Sequence, residues 1–255
     1  MLLAIDAGNT YTKLGVYQGP ELLVKWRMLP DYIGSKEAFG VVVEDRFERS
    51  GLNVRDLEAI IIASVVPHLN DALQFMSEHD FHLTPQFVDH TTNTGLKLLY
   101  DDPSQLGADR IVDSVAAVEK YGAPCIVVDF GTATTFNAIN SQREYLGGVI
   151  APGIKTAFSA LSARAAKLPP AAIERPRKVI GTSTVEAMQS GMFYGYASLV
   201  DGLIERMFEA MDETPKVIAT GGMARVMEQA SKYIGRIDET LTLDGLRIIY
   251  ELNKA

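Results

Sequence analysis

The chain has 255 residues, room for one or two domains at the usual size of roughly 150 residues each. It carries 24 Lys+Arg against 32 Asp+Glu, a formal charge of −8, which argues against nucleic acid or an anionic membrane as the main partner. The single cysteine excludes an intramolecular disulfide, the four histidines show no zinc spacing, and no apolar run approaches the roughly 18 residues of a membrane span.

Met1-Leu-Leu-Ala-Ile meets Asp6 before the apolar stretch of a signal peptide could form, so the expectation is a soluble protein of the reducing cytoplasm. Residues 2–5 are apolar, Gly8-Asn9 signals a turn, and Leu14-Gly-Val-Tyr17 resumes a strand. Ser35–Ser50 places Phe39, Val42, Val43 and Phe47 at helical spacing, with Gly51 as a stop. Ala59–Val66 suits a strand buried on both faces, Pro67–His79 reads as helix, and Gln86–Asp89 as a short strand. Ser104–Tyr121 is a helix with Ile111, Val112, Val115 and Val118 as its apolar stripe, stopped by Gly122. Cys125-Ile-Val-Val follows, where Cys125 reads as a small buried hydrophobe rather than a nucleophile. Two strands flank Gly131, and Glu144–Ile150 extends that sheet. Arg164–Lys178, with three prolines, is a loop. Ser183-x-x-Glu186 is a capping box opening a long helix to Met211. Lys216–Thr220 is a strand, Gly221-Gly222 opens a helix ending near Lys232, and Leu243–Leu252 is a final helix.

One internal repeat organises these elements. Residues 3–17 read LAIDAGNTYTKLGVY and residues 126–140 read IVVDFGTATTFNAIN. Asp6 matches Asp129, Gly8 matches Gly131, and Thr12 matches Thr135, at an offset of 123 residues. A repeat at half length, with strands and helices alternating, implies two duplicated α/β domains, 1–122 and 123–255, with a nucleotide cleft between them.

Each copy carries an Asp-x-Gly turn. In Asp6-Ala7-Gly8-Asn9-Thr10-Tyr11-Thr12-Lys13, the glycine lets backbone amides approach a ligand, and the threonines and Lys13 offer hydroxyls and a cation. Asp6 at the strand end is placed to hold a hydrated Mg²⁺. A plain hairpin turn explains one copy, but two at half-chain spacing suit a clamped polyphosphate. No Gly-x-x-x-x-Gly-Lys-[Ser/Thr] and no Gly-x-Gly-x-x-Gly is present, which removes the P-loop and dinucleotide readings. Asp109, at a helix start after Gly107, is either a first-turn carboxylate favoured by the helix dipole or a base, with Asp113 one turn on as its rival. Arg110 is either a surface ion pair or a fork for a ligand carboxylate. Gly191, Gly195 and Gly202 give the long helix a smooth face, for packing within the chain or across a dimer.

The two turns resemble the phosphate loops of the actin, hexokinase and sugar-kinase superfamily, and Thr220-Gly221-Gly222 resembles its adenosine loop. Tyr100-x-x-Pro103-x-x-x-Gly107-Ala108-Asp109-Arg110, Asp129-Phe-Gly-Thr132-Ala-Thr, Gly147-Gly-x-Ile-x-Pro-Gly153 and Gly181-x-x-Thr184 together resemble type III pantothenate kinase, from residue 2 to about 253. The resemblance implies two actin-like (ribonuclease H-like) domains and transfer of phosphate from ATP to pantothenate, the entry to coenzyme A. It implies Asp109 as catalytic base and residues 6–13 and Thr132 as ATP contacts. Tyr100, Gly107, Ala108, Asp109, Arg110 and Thr184 become pantothenate contacts, although simple capping also explains Thr184. Asp129 becomes the ligand of a monovalent cation, potassium or ammonium, and Asp6 a water-mediated Mg²⁺ anchor. A homodimer is expected, with no nucleic acid or membrane partner. Two rival readings stand beside it: a non-catalytic nucleotide-binding regulator, and a kinase of the superfamily acting on a sugar.

Overall fold

The computed structural model describes residues 1–29, 36–164, 168 and 171–254; Ser35 of the first expected helix and part of the 164–178 loop lie outside them. In chain order the elements are β1 (Leu2–Ala7), β2 (Thr12–Gln18), β3 (Glu21–Met28), α1 (Lys36–Arg49), β4 (Ala59–Ser64), α2 (Pro67–Phe75), β5 (Gln86–Phe87), β6 (Lys97–Leu98) and α3 (Ala108–Tyr121). They continue as β7 (Cys125–Phe130), β8 (Ala133–Ile139), β9 (Glu144–Pro152), α4 (Ile154–Arg164), α5 (Thr184–Met211), β10 (Lys216–Thr220), α6 (Ala224–Glu228) and α7 (Leu241–Asn253).

The chain forms two compact units. One comprises Met1–Leu96, Asp101–Ala116 and Leu241–Ala255; the other comprises Lys97–Tyr100 and Ala117–Thr240. They differ from the contiguous halves 1–122 and 123–255 in that α7 belongs to the first unit and β6 to the second.

In the first unit the strand order is β3-β2-β1-β4-β5, with β1 antiparallel to β2 and parallel to β4. All six residues of β1 are buried, because both of its faces are covered. Leu3, Ile5, Leu14, Val16, Ile60 and Ile62 pack with Phe39, Val43 and Phe47 of α1 and Leu69 and Leu73 of α2. Leu2, Ala4, Ile61 and Ala63 face Val112 and Val115 of α3 and Leu243, Leu246 and Ile249 of α7. That second apolar face draws the C-terminal helix into the first unit: a Cβ on Gly245 would overlap the carbonyl oxygen of Val112.

In the second unit the order is β10-β7-β8-β9-β6, with β7 antiparallel to β8 and parallel to β10. One face buries Ile126, Val128, Phe130 and Phe136 against Phe193, Val200 and Ile204 of α5 and Ala224 and Met227 of α6. The strand arrangement of β1, β2 and β4 therefore recurs in β7, β8 and β10. Each truncation of a fully buried phenylalanine such as Phe136 or Phe193 to alanine costs about 3–5 kcal/mol.

The structure corrects the sequence reading at several elements. β3, with its alternating exposure, is a further strand, and α4 occupies a stretch without an assignment. The helix expected from Ser104 begins at Ala108, because the Asp102 side chain accepts from Ser104 N and closes a separate 3-10 turn at Pro103–Gln105. The helix after Gly222 spans only Ala224–Glu228, because buried Asp201 of α5 binds Ser231 Oγ and Lys232 N and holds that stretch as a loop. Gly191 and Gly195 answer to no packing within the chain: a Cβ at either would meet no described atom within 4 Å.

The two hairpins also differ in register. Asp6 pairs with Lys13 and Ala7 with Thr12, whereas Asp129 pairs with Thr135 and Phe130 with Thr134. Gly8 N donates to Tyr11 O at 3.1 Å, while Gly131 N donates to Ala133 O at 3.0 Å, so the second turn is one residue shorter. Thr12 therefore corresponds to Thr134, not to Thr135 as the sequences align; both are fully buried, and neither hydroxyl has a hydrogen-bond partner.

Candidate active site

The first unit gathers Asp6, Lys13, Asp109 and Arg110. Asp6, the last residue but one of β1, has its side chain on the face turned toward α3 and α7, and the antiparallel register sets Lys13 beside it. Lys13 Nζ lies 2.9 Å from Asp6 Oδ2, with the carboxylate nearly buried and the lysine half-exposed. Between them the turn carries exposed Asn9 and Thr10, and the Arg27 guanidinium lies 3.8 Å above the ring of Tyr11.

Gly107 opens α3: its carbonyl accepts from Arg110 N at 3.1 Å and from Ile111 N at 3.3 Å. A Cβ at Gly107 would stand 2.6 Å from Asp109 Oδ1, so only glycine leaves this carboxylate its position. Asp109 Oδ1 also accepts from Arg110 N at 2.8 Å. Burial pushes the Asp109 carboxyl above its ordinary value, and the negative charge of Asp6 acts the same way. The Arg110 amide, the Arg110 guanidinium and Lys13 pull it back. Ala108 is buried in the apolar cluster below, Arg110 is buried to 6% exposure, and Asp113 lies deeper at 2%. Asp109 is the partly accessible one of the two acids.

The second unit gathers Asp129, Thr132 and six glycine or threonine neighbours. Asp129 pairs across β8 with Thr135 and across β10 with Thr220, so hydroxyls flank the carboxylate on one sheet face. Gly221, at φ +90°, lets the chain pass close to Asp129 and Phe130: a Cβ there would overlap Asp129 Oδ1 and the Phe130 backbone. A Cβ on Gly131 would lie 3.2 Å from Asp129 Oδ2. The Thr132 carbonyl accepts from Gly153 N at 3.0 Å and from Thr156 Oγ1 at 2.8 Å, which pins the start of α4 to the turn and leaves residue 132 exposed. Past Gly221-Gly222, Met223 and Val226 line a pocket with Lys155, Phe158, Ala172 and Ile173. The backing by Gly153 and Gly221 escaped the sequence reading, which treated these glycines as motif letters without a physical role.

Tyr100 is half-buried with its ring 6.2 Å from that of Tyr145, whose hydroxyl donates to Asn137 Oδ1. Thr184 is the exposed first residue of α5. Capping does not explain it: Ser183 caps the helix by accepting from Glu186 N, and Glu186 reaches back to Thr182 N, one residue before the position a capping box predicts. Among the described residues no group of three or more His, Cys, Asp or Glu side chains could hold a metal ion, and no helix is long and apolar enough to cross a membrane.

Solved structures with similar folds cover nearly the whole chain. A Campylobacter jejuni protein described as a Baf family transcriptional activator matches with a TM-score of 0.60 at 19% identity, covering 98% of each chain. The polyphosphate/ATP-glucomannokinase of Arthrobacter sp. strain KM matches with a TM-score of 0.50 at 13% identity, covering 98% of this chain and 97% of that one. These likenesses show the fold, two ribonuclease H-like α/β domains of the actin and sugar-kinase kind. Sequence relatives are nearer. The type III pantothenate kinase of Halalkalibacterium halodurans is 48% identical over 253 residues, 99% of this chain and 100% of its own. That of Koribacter versatilis is 47% identical over 265 aligned positions, 100% of this chain and 97% of its own. The sequence profile of the type III pantothenate kinases matches residues 2–206. The chain belongs to the type III pantothenate kinase family.

Proposed function

We propose that the chain transfers the γ-phosphate of ATP to pantothenate, giving 4′-phosphopantothenate and ADP, the first step of coenzyme A biosynthesis, with Asp109 as proton acceptor. The observation that carries the roles is the Asp109 carboxyl, held at the start of α3 by Gly107 and the Arg110 amide, with its affinity for a proton raised by burial and by Asp6. A raised carboxyl is a stronger base than a free one, which suits it to take the proton as the hydroxyl oxygen of pantothenate bonds to the γ-phosphorus and ADP leaves. Arg110 offers two parallel donors to the pantothenate carboxylate. Gly107 and Ala108 present backbone to the same ligand, and Tyr100 and Thr184 are pantothenate contacts on the strength of the family pattern.

Asp6, Ala7, Gly8, Asn9, Thr10, Tyr11, Thr12 and Lys13 cradle ATP, with Thr132 as a further phosphate contact. Within that stretch the open backbone at Gly8 and the Lys13 ammonium supply the polar contacts, while buried Thr12 shapes the turn. Asp6 would anchor a phosphate-bound Mg²⁺ through water, and the ion would neutralise charge on the ATP phosphates. The pocket beside Gly221-Gly222 accommodates the adenosine.

The donor set at Asp129 fits a monovalent cation: one carboxylate with Thr135 and Thr220 beside it on the same sheet face, all hard oxygen chemistry. Potassium or ammonium bound there would supply positive charge next to the ATP phosphates. The exposed Gly191 and Gly195 of α5 support a homodimer, and ATP as donor together with the buried free thiol of Cys125 supports a cytoplasmic enzyme.

Coupled ADP release with ATP, Mg²⁺ and pantothenate, in potassium and again in sodium, tests the reading. Pantothenate-dependent turnover that falls in sodium is expected. Turnover absent in both salts, or present with hexoses instead, overturns it.

A further inference from the structure

Three charged side chains lie in one row across the first sheet. Asp6 of β1 pairs with Lys13 of β2, and Lys13 pairs in turn with Arg27 of β3. Directly paired residues project on the same face, so Arg27 stands on the face that carries Asp6 and Lys13. The rest of β3 agrees: Val24 and Trp26 pack into the opposite core with their partners Val16 and Leu14. Two cations directly opposite one another across a strand pair are destabilising. The Lys13 ammonium is balanced by Asp6 at 2.9 Å, whereas exposed Arg27 meets no carboxylate among the described residues. Its guanidinium carbon lies instead 3.8 Å from the centroid of the Tyr11 ring. Tyr11 closes the first Asp-x-Gly turn, its carbonyl accepting from Gly8 N. A ring face attracts the cation without taking up its N–H donors in ordinary hydrogen bonds, so the guanidinium is held beside the turn with donors available.

We propose that Arg27 is a further ATP contact, gripping the γ-phosphate, with the Tyr11 ring as the platform that aims it. This rests on the assignment of ATP to residues 6–13 and of the proton acceptor to Asp109 above. Asp109 feels the charges of both Asp6 and Lys13, so the acceptor hydroxyl meets the γ-phosphorus at this end of the sheet. A planar guanidinium offers two parallel donors to phosphate oxygens, where a lysine offers a point charge. A chain of net charge −8 needs local cations to hold a polyphosphate, and Arg27 supplies one next to the turn. The bound phosphate would offset the repulsion between Lys13 and Arg27, which the empty turn bears.

The decisive variant is Arg27→Met, which removes the charge and keeps most of the stem. Dissociation constants of ADP and of a non-hydrolysable ATP analogue, each with Mg²⁺, are read by titration calorimetry on the unaltered enzyme and the variant. The analogue is expected to weaken about tenfold or more and ADP by less than about threefold. The KM for ATP should rise with it, while the KM for pantothenate stays within about twofold. Added salt should weaken the analogue less in Arg27→Met than in the unaltered enzyme, because one ionic contact is gone. Tyr11→Leu, which removes the platform and keeps the cation, is expected to fall between the two. Unchanged analogue affinity in a folded Arg27→Met overturns the proposal. An equal loss for ADP and the analogue also overturns it, since Arg27 would then only prop the turn. A loss confined to the KM for pantothenate does the same, by making Arg27 a contact for the other substrate. If Arg27→Met does not fold, the same readings on Arg27→Gln decide. An unaltered enzyme that binds neither nucleotide sinks the ATP reading together with the proposal, whereas one that binds both and loses nothing at Arg27 sinks the proposal alone.

Discussion

The hairpin at Asp6 and the hairpin at Asp129 begin with the same Asp-x-Gly pattern and diverge within three residues. The first turn is one residue longer, and that single residue decides which side chain faces the aspartate: a lysine in one unit, a threonine in the other. Because side chains alternate along a strand, a one-residue change in turn length exchanges the buried and the functional positions. Thr12 and Thr134 thus fill the core face, while Lys13 and Thr135 reach the face that carries the aspartates. A duplicated unit sets different side chains beside equivalent aspartates by altering a turn, with its strand arrangement unchanged.

The largest expected effect separates the hairpins by function. With Asp109 in its proposed role as base, Asp109→Asn should lower kcat by about 10²- to 10⁴-fold in the coupled assay while ATP-analogue binding persists. Near-normal turnover in a folded Asp109→Asn would remove the base from the first unit.

Next comes a glycine with a counterpart that is not one. Gly221→Ala places a Cβ into the Asp129 carboxylate at positive φ and should destabilise the chain by more than about 2 kcal/mol in urea unfolding. Gly8→Ala, whose Cβ would stand 3.1 Å from the Tyr11 carbonyl without a positive φ, should be milder. Equal losses would contradict the closer approach at Gly221, after β10, than at Gly8 in the first turn.

The same aspartate gives a pH-dependent contrast. Burial and Asp6 raise the Asp109 carboxyl in the folded chain, so its stabilising contribution is complete below the ordinary carboxylate value and is lost as pH rises through the raised one. Asp109→Asn should therefore melt higher than the unaltered chain at pH about 8 and lose that advantage near pH 4. A difference independent of pH would mean that Asp109 is not raised.

The smallest effect checks the register itself. Thr12→Val and Thr134→Val each replace a buried hydroxyl that lacks a partner and should stabilise by about 1 kcal/mol, whereas Thr135→Val should not. If Thr135→Val stabilised and Thr134→Val did not, the alignment of Thr12 with Thr135 would be the correct one.

Much of this was legible from the residues. The 123-residue repeat gave the duplication, the apolar run Ala59–Val66 gave a doubly covered strand, and Ser183 gave the start of α5. Gly107-Ala-Asp-Arg110 pointed to a site only through the family resemblance, because a first-turn acid favoured by the helix dipole explains Asp109 equally well from the residues alone. Less legible was α4, although Ile154, Phe158 and Leu161 repeat at helical spacing. The loss of helix beyond Glu228 was hidden because its cause, Asp201, lies far off in the sequence.

By itself the sequence determined the duplication, the α/β class and the family, since these depend on local period and on motifs that are contiguous in the chain. Tertiary structure decided that α7 completes the first unit, because burial of a second sheet face joins segments far apart in sequence. It also decided which threonine answers to Lys13 and that Asp109 is raised. Register and burial are properties of neighbours across strands, and no alignment of one chain with itself carries them.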